Sequence, residues 1–222
     1  MSEEPEHELV LPPISDNDNI CLPLSINAVA KYWNIDLPIS EANEIASKYA
    51  GMNGSILIEG INLAERHGLS SLIIHSSIPE LKQVIDMGIP PIVILPGLHD
   101  VVQHASIISG YDDKEKTIFH YVPEQKPSEE GIQVGVIPEK RFQKLWSEDG
   151  CLMILLGSSD ILSSLKTDEN KTKSNRLCFE SEKLSLQKQT KETTDSLEKA
   201  CLLYTSDAAD DTPCVDLGGR RI

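Results

Sequence analysis

The chain has 222 residues, 35 of them acidic and 20 basic, for a formal net charge of −15, and 40% are hydrophobic. So acidic a surface repels phosphate, which argues against nucleic acid and anionic membranes as partners. No apolar run approaches the roughly 20 residues a membrane span needs, and the start MSEEPEHE lacks the basic opening of a signal peptide, so a cytoplasmic location is expected.

Residues 1–8 read as an acidic leader, and apolar periodicity runs from 9 to 156, one domain of ordinary size. Asp16, Asn17, Asp18 and Asn19 form a polar turn ahead of Cys21. Beyond it Ile26, Val29, Ala30 and Trp33 mark one face of a helix, with Pro23 in its first turn. Ser40 is expected to cap a helix through Ala42, Ile45, Ala46 and Tyr49. A third helix covers about 56–66 and stops at Gly68. The strand LSSLIIH (69–75) and a helix over 77–88 follow, the latter with Pro79 in its first turn and Gly88 as its stop.

The second half reads as sheet: PPIVILP (90–96), HASIISGY (104–111) and KTIFHYV (116–122) are rich in Ile and Val and separated by turn signals. A helix near 138–146 and the strand CLMILL (151–156) close the domain, Cys151 beginning that strand as core. Helices first and an antiparallel sheet second make an α+β pattern.

From 157 to 200 the chain turns to Ser, Thr, Lys, Glu and Gln, the composition of a polar linker or disordered tail, with a short helix over 181–199 as an alternative. Residues 201–222 resemble two translated sequencing adapters in order, CLLYTSDAADD and VDLGGRRI, and are expected to be an artefact. Setting them aside leaves 31 acidic and 18 basic residues, a net charge of −13. Three cysteines then remain, Cys21, Cys151 and Cys178, too few and too odd in number for a disulfide framework.

Cys21 stands where a loop becomes a helix. Amide dipoles at a helix start lower a thiol's pKa, and a nearby imidazolium lowers it further. Of the histidines, His7 lies in the leader, His67 closes a helix, His75 ends a strand and His99 sits in a loop. His120 falls within a strand and faces either side, while His104 opens an apolar strand after a polar loop, at a sheet edge beside a cleft. The spacing of His99 and His104 lacks the helix or third ligand a zinc site needs, so no metal and no cofactor are expected.

A Cys opening a helix that ends in YW, then GINLAERHGL, then GIPPIVIL, then HASIISGYDD, resembles the bacteriocin-processing, double-glycine-type group of papain-fold cysteine peptidases over about residues 11–156. The resemblance implies a papain-like fold, with Cys21 as nucleophile, His104 as base and a peptide or protein substrate cut after small residues such as paired glycines. Two family features are missing. Ser15 stands where the family has an oxyanion-hole Gln, and Val122 where it has the Asp that orients the imidazole. Ser15, Asn17 and Asn19 are the candidate oxyanion donors; His120 and Tyr121, by its hydroxyl, are the candidates to orient His104. Loss of one oxyanion donor costs about 10²–10³ in rate, and loss of the orienting carboxylate in a serine triad up to about 10⁴. A thiolate–imidazolium pair depends less on its third member. Three readings follow: a cysteine peptidase with a Cys–His dyad, a catalytically degenerate papain-fold domain that binds peptides or a partner protein, and a domain where Cys21 is only core.

Overall fold

The computed structural model describes residues 7–12, 21–48, 55–96, 103–122 and 133–205. Strand β1 (His7–Glu8) leads to helices α1 (Cys21–Tyr32), α2 (Ile39–Ser47) and α3 (Leu57–Arg66), strand β2 (Ser70–His75), helix α4 (Ile78–Asp86) and strands β3 (Ile92–Pro96), β4 (Gln103–Asp112), β5 (Thr117–Val122) and β6 (Gln133–Pro138). Helix α5 (Glu139–Glu148), strand β7 (Leu152–Gly157) and helices α6 (Ser159–Ser163), α7 (Glu169–Leu186) and α8 (Thr190–Thr205) follow. The seven strands form one sheet in the order β2-β7-β3-β4-β5-β6, with β1 on the far half of β4, and every pairing is antiparallel. This is the α+β architecture of N-terminal helices on an antiparallel sheet.

Strand alternation divides the core between the two sheet faces. Ile92, Ile94, Ala105, Ile107, Tyr121, Ile154 and Leu156 meet α1, α2 and α3 on the first face. Val93, Leu95, Ile108, Tyr111, Ile118, Met153 and Leu155 meet α4 and α5 on the second, around the fully buried Phe142 and Trp146. A bulge between Ile108 and Gly110 lets both Ile108 and Tyr111 reach that second face.

Local chemistry explains most boundaries. Gly68 (φ 93°) and Gly88 (φ 76°) take the left-handed conformation that ends α3 and α4. Ser40 lies inside α2, which starts after Pro38 with no side-chain cap, so proline's fixed φ begins the helix where a hydroxyl cap was expected. Cys151 is not the first residue of a strand: it sits half-buried in a left-handed turn (φ 55°) just before β7. Strand β6 was not expected from the sequence, its run QVGVIP being broken by a glycine and closed by a proline.

The largest departure lies beyond residue 157. In place of a linker or tail the chain forms α6, α7 and α8, and α7 packs on α3 and β2. Arg176 grips both carboxylate oxygens of Glu65 at 2.6 and 2.8 Å and also donates to Asn62 and Ser71. Asn175 donates to the Ile73 carbonyl at 3.0 Å, covering the free edge of β2. Helix α8 lies on α7 and extends through Thr205, five residues into the stretch expected to be an artefact.

Candidate active site

Helix α1 is tied down at its far end. Tyr32 donates to the Gly88 carbonyl at 2.9 Å and Trp33 to the Leu156 carbonyl at 2.7 Å, so the two aromatics pin the helix to the sheet. Asn27 donates to the Leu37 carbonyl at 2.6 Å. Nearer Cys21, Gly60 lets α3 approach closely: a methyl group there would stand 2.9 Å from Ile26 and 3.4 Å from Leu22. These contacts fix where α1 begins and therefore where Cys21 stands.

The Cys21 sulfur accepts a hydrogen bond from the Ala105 N–H at 3.4 Å. Ile108 donates to Pro91 on the β3 side of β4, so by antiparallel alternation Ala105 and Ile107 donate toward β5. The β4–β5 ladder reaches only Ile107 opposite Tyr121 at this end. Cys21, packed against the first core, thus takes the next acceptor position on β4 beyond the β4–β5 ladder.

His104 is paired with Leu95 and His120 with Ile108, so both imidazoles lie on the second face together with Ser106. What Cys21 touches is the main chain next to His104; among the described residues the His104 ring makes no hydrogen bond or ion pair. His120 contacts Ser106 Oγ through Nδ1 at 3.4 Å and lies over Gly135. Tyr121 is buried on the first face and its hydroxyl donates to the Pro12 carbonyl at 3.3 Å. Ser15, Asn17 and Asn19, the candidate oxyanion donors, lie outside the described residues. No cluster of three or more His, Cys, Asp or Glu that could hold a metal occurs among the described residues.

The electrostatics run against the expected thiolate. Burial pushes the Cys21 thiol above its ordinary value, and the N–H groups of Ala105, Leu22 and Cys21 itself only partly offset this. The helix start does act on the sulfur, but desolvation outweighs it. Burial likewise lowers His104, and it lowers His120 together with repulsion from a charged His104. At neutral pH the Cys21 thiol and the His104 imidazole are therefore each uncharged at rest.

Both histidines are held below the ordinary 6.5 in the folded chain, so the unfolded chain binds protons first as pH falls. Stability is then full above pH 6.5 and declines below it, toward the lowered folded values. Urea melts at pH 7 and pH 5 should show that loss, and it should shrink in a His104→Gln, His120→Gln double variant.

No protein-family profile and no curated protein matches the chain. Solved structures do. The peptidase domain of Streptococcus ComA, a bifunctional ABC transporter involved in quorum sensing, aligns with a TM-score of 0.51 and 21% identity over 69% of this chain and 100% of that one. A double-glycine-motif protease from an AMS/PCAT transporter, solved with its leader peptide, aligns with a TM-score of 0.51 and 14% identity over 69% of this chain and 96% of that one. Among the described residues no helix is long and apolar enough to cross a membrane. Motifs and coordinates agree on one architecture: this chain has the papain-like fold of the double-glycine peptidase domains.

Proposed function

We propose that the chain belongs to the double-glycine-type peptidases and is a cysteine peptidase with Cys21 as nucleophile and His104 as base. The observation that carries this reading is the Cys21 sulfur at the start of α1, hydrogen-bonded to the N–H of Ala105, the residue after His104. Because burial keeps both groups neutral at rest, the reaction starts with proton transfer. His104 takes the Sγ proton as the sulfur attacks the peptide carbonyl carbon, and the tetrahedral oxyanion meets N–H groups of the first turn of α1. His104 then gives its proton to the leaving amine, and water, deprotonated by the same imidazole, releases the acyl group.

The substrate in this reading is a peptide or protein with small residues before the cut, paired glycines first, and the setting is cytoplasmic. The full chain, incubated with peptides that differ only in Gly-Gly, Ala-Ala or Lys-Lys before the scissile bond, should cut the first best. Absence of turnover on all of them, with binding retained, would support the second reading, a degenerate domain that holds peptides. That reading is favoured by the neutral resting pair and by Val122 in the place of the orienting carboxylate.

A further inference from the structure

Residues 7–12 are fastened at both ends. On β4, His7 pairs with Tyr111 and Glu8 with Gly110, while β5 pairs with the same two residues from the other side, so β1 continues the edge that β3 covers. Gly110 makes room for it: a methyl group there would stand 2.2 Å from the His7 carbonyl oxygen and 2.9 Å from Glu8 Cα. The His7 ring stacks on Tyr111 with centroids 4.5 Å apart. Asp86 of α4 accepts from both, from Nδ1–H of His7 at 2.8 Å and from the Tyr111 hydroxyl at 2.8 Å. Leu9 then donates to the Ser109 carbonyl at 2.6 Å.

From Ser109 the chain crosses to the first face. Leu11 is buried in the first core, and the Pro12 carbonyl accepts from the Tyr121 hydroxyl at 3.3 Å. Tyr121 pairs with Ile107, so Ala105, whose N–H holds the Cys21 sulfur at 3.4 Å, is its diagonal neighbour across the two strands. Residues 13–20 join these two anchored points, Pro12 and Cys21. A phenylalanine at 121 would fill the same space in the core; what the tyrosine adds is a donor.

We propose that residues 7–12 are a strap that positions the chain leading to Cys21, latched on β4 through His7, Asp86 and Gly110 and tied near the sulfur by Tyr121. Tyr121 is then a positioning residue for the nucleophile, a role that rests on the peptidase reading. It lies on the face opposite His104 and acts through the chain that leads to Cys21, not through the imidazole. The restraint needs both attachments, because a strap loose at either end no longer fixes where Pro12 stands. Small displacements matter at a nucleophile: a misplacement of about 1 Å can cost about a hundredfold in rate.

The test compares turnover of the Gly-Gly peptide by the full chain, Gly110→Ala, Tyr121→Phe and the double variant, with kcat divided by the folded fraction and amide hydrogen exchange read at Leu9. Gly110→Ala should expel β1 and speed exchange at Leu9 about tenfold or more. Tyr121→Phe, whose ring still packs, should leave Leu9 protected. Each should lower kcat about tenfold at unchanged KM, within the cost of a misplaced reacting group. The double variant should also lose about tenfold, since both substitutions release one restraint, whereas two independent structural defects would multiply to about a hundredfold. Full kcat in Tyr121→Phe, full kcat in Gly110→Ala with Leu9 freed, or a hundredfold loss in the double variant would overturn the strap and leave the peptidase reading standing. No turnover by the unmodified chain would remove the two together.

Discussion

A chain ending at Leu165, without α7 and α8, should fold with much reduced stability. The reason is Glu59, whose carboxylate on α3 is only 3% exposed and sits between Lys48 at 2.8 Å and Lys183 of α7 at 3.3 Å. Removing a partner from a buried charge typically costs about 3–5 kcal/mol. Lys48 remains and is itself half exposed, so the loss at Glu59 falls toward the lower end of that range. The same cut removes Arg176 from Glu65. Glu65's partial burial would raise its carboxyl, but the hydrogen bonds and charge of Arg176 together with Ser71 hold it below the ordinary carboxylate range. It also removes Phe179, which packs against the first core, and bares the edge of β2. Lys183→Met in the full chain breaks the same ion pair with Glu59 and should cost about 3 kcal/mol, the lower end of that range. Urea unfolding of both chains checks this. A chain cut at Leu165 that unfolds at the full chain's midpoint would mean that α7 is an appendage.

The second large effect concerns turnover. Cys21→Ala should abolish hydrolysis of the best Gly-Gly peptide, because the acyl intermediate cannot form. His104→Ala should lower kcat about 10²–10⁴-fold, the range of a general base. The neutral resting pair argues for the upper half of that range: a preformed thiolate would need His104 only as an acid, whereas a neutral thiol needs it for attack as well. Peptide binding should survive in both variants, so kcat falls and KM changes little. A His104→Ala chain with unchanged kcat would remove His104 from the chemistry.

Which parts of this were legible in the sequence follows from the kind of interaction that fixes each. Elements held by apolar periodicity were read nearly to the residue, as in α1, α3, β2, β3 and β7, because alternation and helical spacing are written in the side chains themselves. The tail was misread because α7 is docked by Arg176, Asn175 and Lys183, polar residues whose partners Glu65, Ile73 and Glu59 lie about a hundred residues away. No local pattern distinguishes such a helix from a solvated one. At the site, Cys21 was placed at a helix start, but its burial, and hence the direction of its titration, depends on β4 arriving beside it. Ser106 and Gly135 were not singled out at all. A serine in a strand and a glycine in a broken run acquire meaning only through the register that sets them beside His120.

The central claim is that His104 serves the Cys21 sulfur, and the most direct test is the pH dependence of Cys21 alkylation in the full chain and in His104→Ala. Site-resolved mass spectrometry is needed because the chain carries four other cysteines, Cys151, Cys178, Cys201 and Cys214. The account predicts a rate near pH 7 that falls tenfold or more in the variant, and an alkaline limb, where the thiol ionises unaided above its ordinary 9.0, that the two chains share. Equal rates at pH 7 would contradict it.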